Sequence, residues 1–254
     1  MRILSLNLNG IRAAHRKGLD NLLTDKTPDV VCFQELKANL EDIPELNSDY
    51  KCFYHPAERK GYSGVGILSK QKPEHVEIGM GIKKYDSEGR VLRVDFENLS
   101  VMSVYVPSGS SGSPRQVFKM QFLKAFRRHI RELVKDGREL IICGDINIAH
   151  KKIDLKNWKS NQNTSGFLPE ERKWLDTLLK LGLEDACRKF IGPETASYSW
   201  WSLRTNARER DVGWRLDYQF VTSKLSTQIM NAEIPKEPHL SDHAPVILDY
   251  NYSI

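Results

Sequence analysis

Cysteine is scarce in this chain: four of the 254 residues are cysteines, and none forms a Cys-X-X-Cys pair. A zinc-ribbon protein needs such pairs, so that class has no support. Cys32 and Cys143 lie inside apolar runs, where a reduced, buried thiol is expected. Thiols of this kind favour a reducing compartment, so we expect a cytoplasmic protein, nucleoid-associated if the cell is a prokaryote.

Long apolar runs are also missing. No stretch approaches the roughly 20 apolar residues that a membrane helix requires, and the first residues are too polar for a signal peptide, so we expect no membrane partner. The glycine-rich patterns GxGxxG and GxxxxGK[ST] do not occur, which removes support for folds that bind nucleotide cofactors.

The composition is that of an ordinary globular protein, with 40% hydrophobic residues. Its length suits one large domain or two small ones, and we expect a single domain over residues 1–254. Lys and Arg number 38 against 33 acidic residues, a formal net charge of +5, which is compatible with a polyanionic partner without establishing one. No heptad pattern or surplus amphipathic helix indicates a dimer, so we expect a monomer.

Short apolar runs, several of them alternating with polar residues, predict a strand-rich chain. Strands are predicted at residues 3–8, 30–33, 65–68, 91–96, 101–106, 140–143, 216–221 and 246–250, and helices at 18–24, 115–135 and 169–181. A strict βαβ alternation is absent, so we predict a layered α/β sandwich around mixed sheets. The basic residues of the middle helix are expected to form its outer, solvated face: Lys119, Lys124, Arg127, Arg128 and Arg131.

Polar clusters recur where apolar strands end. They are Asn7-Leu8-Asn9-Gly10, Gln34-Glu35-Leu36-Lys37, Gly144-Asp145-Ile146-Asn147 and, before the last strand, Ser241-Asp242-His243. Reactive groups are often carried on such loops, and hard oxygen ligands without cysteine suit Mg²⁺ or Mn²⁺. Each cluster also has a structural interpretation: Asp145 and Asn147 could form an Asx turn, Glu35 could end a solvated strand and His243 could cap a turn.

In their order along the chain, these motifs resemble the exonuclease III family of abasic-site endonucleases, within the endonuclease/exonuclease/phosphatase fold. Further matching motifs are Gly61-Tyr62-Ser63-Gly64-Val65, Tyr105-Val106-Pro107 and Gly213-Trp214-Arg215-Leu216-Asp217-Tyr218. The resemblance implies a four-layered α/β sandwich, in which two mixed sheets pack face to face between helices. It also implies hydrolysis of the DNA phosphodiester 5′ to an abasic site.

The resemblance also assigns roles to the clustered residues. Asp145 would activate water with help from Asn147, and Asn7 would hold Asp145. His243, oriented by Asp217, and Tyr105 would contact the phosphate. The metal ligands would come from Glu35, Asn9, Asp145, Asn147, Asp242 and His243.

On the substrate side, at least one of Trp200, Trp201 and Trp214 is expected in the core. The resemblance makes Trp200 and Trp214 the walls of a pocket for a flipped-out abasic sugar. Further substrate contacts are expected at Tyr62, Asn161, Ser108, Arg204 and Arg208. Two basic clusters are expected to contact the DNA backbone: Lys151, Lys152, Lys156 and Lys159, and Arg204, Arg208, Arg210 and Arg215.

Ser108 departs from the family pattern, which commonly has Asn or Gln there. The balance between abasic-site cleavage and 3′-end processing therefore stays open, and a chain that is mainly a 3′–5′ exonuclease or 3′-phosphatase is the alternative. Two other classes compete. A phosphatase of lipid or inositol phosphates would not need the aromatic pocket, and a DNA-binding module without catalysis would not need Glu35, Asp145 and His243 together.

Overall fold

The computed structural model describes residues 1–46, 49–204 and 206–254. The strands are β1 (Arg2–Asn7), β2 (Val30–Gln34), β3 (Lys51–His55), β4 (Val65–Ser69), β5 (His75–Ile78), β6 (Val91–Phe96), β7 (Leu99–Tyr105), β8 (Glu139–Asp145), β9 (Leu183–Asp185), β10 (Asp217–Thr222), β11 (Ile229–Glu233) and β12 (Val246–Tyr250). The helices are α1 (Ile11–Arg16), α2 (Leu19–Lys26), α3 (Lys83–Asp86), α4 (Ser113–Lys135), α5 (Pro169–Leu179), α6 (Ala186–Ile191) and α7 (Ser223–Ser226).

The strands form two six-stranded mixed sheets. One has the order β11-β12-β1-β2-β4-β3 and the other β5-β6-β7-β8-β10-β9. Each contains one parallel pair, β1 with β2 and β7 with β8, flanked by antiparallel neighbours. The predicted absence of a regular βαβ alternation is therefore confirmed.

The two sheets pack face to face over a shared apolar core. Ile3 and Val30 from the first sheet join Val94 and Ile141 from the second in one buried cluster. The outer face of the second sheet is covered by α4 and α5, and the outer face of the first by α1 and α2. This layering is the predicted four-layered α/β sandwich.

The predicted elements are confirmed with shifts of a few residues at their ends. The prediction missed β3, β5, β9 and β11, which are strands of at most five residues, and the short helices α1, α3, α6 and α7. Such short segments carry too few apolar positions to establish a period. Across the described ranges, none of the helices has the length and apolar character needed to cross a bilayer.

Two predictions about basic residues are wrong. Lys119 lies on α4 but is fully buried, whereas the other four basic residues predicted for its outer face are exposed or half-exposed. Arg215, expected to contact DNA, is 1% exposed. Both side chains are buried, and each forms an ion pair with acidic residues from distant parts of the chain.

The partners of Arg215 are Asp154 and Asp185, at distances of 2.8 Å and 2.7 Å. Asp154 also binds Arg188 at 2.5 Å. Burial alone would raise the pKa of Asp154, but the charge and hydrogen bond of Arg215 lower it to about 2. The network joins the residue that follows Trp214 to the chain that follows β8 and to β9 and α6.

We predict that Asp154→Asn lowers the free energy of unfolding by about 3 kcal/mol at pH 7, because Arg215 then keeps a poorly compensated buried charge. A depressed carboxyl pKa stabilises the fold above the unfolded-state pKa of about 3.9. That contribution disappears as the pH falls through about 2. The difference between parent and variant in urea unfolding should therefore shrink below about pH 4.

The matched control is Asp176→Asn, since Asp176 is half-exposed in its contacts with Lys151 and with the ring of His150. Its loss should stay within about 1 kcal/mol. Equal losses for the two variants would contradict the structural role given to the buried network.

Candidate active site

Five strands bring polar ends to one edge of the sandwich. In the parallel pair of the first sheet, Asn7 ends β1 beside Gln34 of β2. In the second sheet, Asp145 ends β8 between Tyr105 of β7 and Asp217 of β10. Because the sheets face each other, the predicted clusters meet at this edge.

The backbone of these strand ends is unusual. Asn9, Glu35 and Asn147 all have positive φ angles, 47°, 52° and 55°, which residues with a side chain seldom adopt. A side chain at Gly144 would overlap the carbonyl oxygen of Val104, so the close approach of β7 and β8 requires glycine there. Strained positions of this kind cluster at functional sites.

Asp145 lies at the centre and is 1% exposed. Its Oδ2 accepts hydrogen bonds from the side-chain amides of Asn7, at 2.9 Å, and Asn147, at 3.2 Å. Its Oδ1 accepts the backbone N–H of Asn147 at 2.8 Å. The sequence left open that Asp145 and Asn147 form only a structural turn. In the structure this turn also fixes the Asp145 carboxyl.

Burial raises the pKa of Asp145 to about 8, although the positive charge of His243 opposes the shift, and the negative charges of Asp217 and Glu35 raise the pKa further. The raised pKa makes the ionised carboxyl a stronger base than an exposed aspartate, and the hydrogen bonds from Asn7 and Asn147 favour that ionised form.

Asp217 orients His243 through the ring nitrogen that faces away from the cavity. Its Nδ1 lies 2.8 Å from Asp217 Oδ2, which also accepts a 2.6 Å hydrogen bond from Ser199. Its Nε2 faces the site, 3.9 Å from Asp145 Oδ2. Burial opposes protonation, but the charge and hydrogen bond of Asp217 raise the His243 pKa to about 10. The imidazole is therefore positively charged at neutral pH.

Glu35 carries the second carboxylate of the site. It accepts a 2.9 Å hydrogen bond from Asn7 and lies 2.8 Å from the ammonium of Lys37, which also contacts the side-chain oxygen of Asn9. Although burial opposes it, the charge of Lys37 lowers the Glu35 pKa. Lys37 was not among the predicted site residues, although it stands in a quoted motif.

Glu35, Asp145 and His243 offer ligand atoms that all lie within 4.8 Å of one another. Two carboxylates and an amide-rich surround are the oxygen donors that hard cations prefer. A lysine ammonium already rests against Glu35 and Asn9, so this corner attracts positive charge. The residues present therefore fit a bound metal ion.

Asp242 lies outside that cluster of ligand atoms. Its carboxylate accepts hydrogen bonds of 2.9 Å from the side chains of Asn9 and Trp200. Although burial opposes it, the charge of His243 lowers the Asp242 pKa. Asp242 therefore connects Asn9, a predicted metal ligand, to Trp200 in the wall of the cavity.

A cavity of about 400 Å³ opens above these groups. Trp200 and Trp214 meet edge to face at one side, with ring centroids 6.3 Å apart, while Trp201 is buried in the core as expected of one tryptophan. The other predicted residues that line the cavity are Asn9, Glu35, Tyr105, Ser108, Asp145, Asn147, Asp242 and His243. Lining residues that were not predicted as individual contacts are Lys37, Ser110, Thr164, Ser165, Gly166 and Leu216.

Tyr105 contributes a phenol to this cavity. Burial raises its pKa well above the ordinary value, and the charges of Glu35 and Asp145 raise it further. Its ring lies 4.8 Å from the guanidinium of Arg90. The phenol therefore stays protonated and keeps a hydrogen to donate.

The remaining predicted substrate contacts do not line the main cavity. Tyr62 lies in a separate cleft, where its hydroxyl accepts hydrogen bonds from Arg90 and Arg115. Arg208 lines a cleft that shares Asn9 and Asp242 with the main cavity.

Two further predicted contacts, Arg204 and Asn161, lie at the surface. Arg204 is exposed in a surface turn. The Asn161 side chain donates to the carbonyl of Asn157 at 2.8 Å and does not line the main cavity.

The fold and the site define a class of protein: enzymes with a four-layered α/β sandwich and a site of carboxylates and a histidine at one edge of the two sheets. The chain belongs to the endonuclease/exonuclease/phosphatase family, whose model matches residues 4–243.

Three similar proteins show how far the likeness extends. An exodeoxyribonuclease of Bacillus subtilis is 41% identical, over 99% of this chain and 100% of the relative. A DNA-(apurinic or apyrimidinic site) endonuclease of Dictyostelium discoideum is 34% identical, over 99% and 71%. The solved structure of a 3′-5′ exonuclease from Neisseria meningitidis superposes with a TM-score of 0.92 at 28% identity, over 99% and 100%. The predicted resemblance to the exonuclease III family is confirmed.

We predict that Asp145→Asn reduces turnover on a phosphodiester substrate at least about 100-fold, because a group that accepts a proton in the transition state contributes on that scale. Binding of uncleaved DNA should stay close to that of the parent, since the amide keeps the volume of the carboxyl. Single-turnover cleavage and fluorescence anisotropy measure the two effects. A variant that cleaves near the parent rate would refute the role given to Asp145.

We also predict that Asp217→Asn lowers the pKa of His243 from about 10 towards the ordinary histidine value, because Asp217 supplies the charge and hydrogen bond that raise it. NMR titration of the ring protons of His243, with chelator present, measures the shift. Asp20→Asn, beside His15 at 3.1 Å, is a control that should leave the His243 titration unchanged. An unshifted His243 in Asp217→Asn would show that Asp217 does not control its charge.

Proposed function

We propose that the chain is a DNA repair nuclease that hydrolyses the phosphodiester 5′ to abasic sites in duplex DNA. The observation that carries the proposal is the placement of Asp145 between positive His243 and acidic Glu35, at the floor of a cavity walled by Trp200 and Trp214. Catalytic groups alone would suit many phosphoesterases. The aromatic walls favour a substrate with a sugar that has lost its base.

In this mechanism Asp145 orients a water molecule and takes its proton as the water oxygen attacks phosphorus. The bond between phosphorus and the 3′ oxygen breaks, and the leaving oxygen takes a proton from solvent. The products are a 3′ hydroxyl and a 5′ phosphate on the abasic sugar. Asn7 and Asn147 hold the carboxyl during the transfer. In-line attack on phosphorus depends on this orientation of the water and does not require a covalent intermediate with the protein.

Negative charge builds on the phosphate oxygens as the new bond forms. The imidazolium of His243 and the phenol of Tyr105 both line the cavity and donate hydrogen bonds to those oxygens. Asp217 keeps His243 positive and correctly turned.

Mg²⁺ is the cation proposed for the oxygen-rich corner at Glu35, with Mn²⁺ as a substitute. The other predicted ligands are Asn9, Asp145, Asn147, Asp242 and His243. Asp145 offers a ligand atom within 4.8 Å of Glu35, whereas His243, which the mechanism uses in its protonated form, would ligate only as a neutral imidazole. When bound, the ion supplies positive charge that stabilises the phosphate and the leaving oxygen.

Duplex DNA is the proposed partner, in keeping with the names of the relatives, which describe nucleases and an endonuclease of abasic DNA. Exposed lysines beside the cavity wall supply charge for the backbone: Lys151, Lys152, Lys156 and Lys159. Arg208 lines the cleft that shares Asn9 and Asp242 with the main cavity, and exposed Arg204 lies in the same loop. We propose that both also contact the DNA backbone. We propose one catalytic domain that acts as a monomer in the cytoplasm.

A second activity, processing of 3′ ends, is favoured by the loop at Ser108. Ser108 bonds to Ser110 at 2.9 Å, and both line the cavity. The short serine side chains leave more room in the cavity than Asn or Gln would. This room suits the 3′ end of a DNA strand. Two of the similar proteins are named as exonucleases, consistent with this activity.

We predict that the protein incises a duplex with one abasic analogue, 5′ to the lesion, with Mg²⁺ and not with chelator. A duplex with a recessed 3′-phosphate, assayed in parallel, ranks the two activities, and an unmodified duplex serves as the control. Metal-independent incision, or no incision beside the lesion, would refute the proposed function. Release of phosphate from the second duplex at a higher rate would make end processing the main activity.

A further inference from the structure

An ion pair lies beneath the cavity, fully out of contact with water. Lys119 of α4 and Glu171 of α5 are each 0% exposed, and the ammonium lies 2.6 Å from a carboxylate oxygen. Neither residue has a part in the mechanism proposed above. The two side chains join helices that cover the same face of the second sheet.

Stability does not account for this pair. Removing two charges from water costs several kcal/mol per ion, and well-packed apolar residues of similar volume often give an equally stable fold. Glu171 also accepts a hydrogen bond from Gln116 and caps the N-terminus of α5 through Leu168. The other contacts of Lys119 and Glu171 lead to the active site.

Lys119 holds the turn that carries Asp145. Its ammonium donates a 2.8 Å hydrogen bond to the backbone carbonyl of Asn147. Asn147 has a φ of 55°, and it contacts Asp145 through both its backbone N–H and its side-chain amide. A buried cation on its carbonyl fixes the peptide in the orientation that these two hydrogen bonds require.

Glu171 holds the wall of the cavity. One of its oxygens accepts the backbone N–H groups of Gly166, at 2.7 Å, and Leu168, at 3.0 Å. Gly166 has a φ of 97°, and a Cβ built on it would lie 3.2 Å from the ring of Trp214 and 3.3 Å from the carbonyl oxygen of Asn147. This segment is therefore wedged between the tryptophan wall and the catalytic turn.

We propose that Lys119 and Glu171 form a positioning pair, which sets the Asp145–Asn147 turn and the Gly166 wall at a fixed distance from each other. The inference rests on the proposed function, because it concerns alignment of the water-activating carboxyl with a sugar held against Trp214. The pair acts through Asn147 and Gly166 and touches no substrate. Removing it should lower kcat, while DNA affinity, which comes from surface phosphate contacts, should change little.

The test uses the double variant Lys119→Met/Glu171→Gln, which removes both charges together and so leaves no buried charge unpaired. We expect kcat for the abasic duplex to fall roughly 10-fold to 100-fold, the usual effect of losing a group that orients a catalytic residue. KM and the Kd for DNA in chelator should remain near the parent values. Urea unfolding checks that the variant is folded.

The matched control is Arg93→Met/Asp95→Asn. This ion pair spans 3.0 Å on β6, its side chains are 13% and 11% exposed, and neither residue lines the cavity. It should lose some stability and keep the parent kcat. An equal fall in kcat for both double variants would overturn the proposal, because general loosening of the fold would explain it. An unchanged kcat in Lys119→Met/Glu171→Gln would overturn it as well.

A readout without DNA separates this inference from the proposed function. Hydrogen exchange by mass spectrometry should quicken about 10-fold at residues 145–150 and 164–168 in Lys119→Met/Glu171→Gln, and not in the control. If the parent does not incise abasic DNA, the proposed function fails, and exchange alone decides whether the pair holds the two segments. Unchanged exchange in both segments would overturn the positioning role.

Discussion

The burial of the Asp145 carboxyl is the constraint on which the rest of the site depends. A carboxyl removed from water must be surrounded by donors or positive charge, or its ionised form becomes too costly. The donors are Asn7 from β1 and Asn147 from the turn after β8, and the charge is that of His243, which precedes β12. These groups meet because the two sheets end at a common edge.

Pairs of opposite charge surround this centre. Asp217 lies below His243, His243 faces Asp145, and Lys37 rests against Glu35 on the other side. Asp217 raises the pKa of His243, so the histidine stays positive, whereas burial raises the pKa of Asp145 against the opposing charge of His243. Farther back, buried Lys119 and Glu171 continue the arrangement under the cavity.

Much of the fold was predictable, because long apolar strands such as β7 and β8 carry their pattern in a few consecutive residues. The short strand β9 was missed, since three residues do not define a period. The errors at Lys119 and Arg215 have a different cause. The partners that bury them, Glu171 and Asp154, lie 52 and 61 residues away in the sequence, and local periodicity contains no information on such distances.

The sequence by itself determined the chemistry available to this protein: carboxylates, amides and a histidine at the ends of apolar strands, in the order of one enzyme family. It also determined the layered fold, because strand periodicity is local. Only the tertiary structure decided which groups are buried and how they are paired. It placed Asp242 against Asn9 and Trp200, outside the cluster of Glu35, Asp145 and His243. The physical reason is that burial and pKa depend on neighbours in space, which the packing of two sheets and their helices brings together.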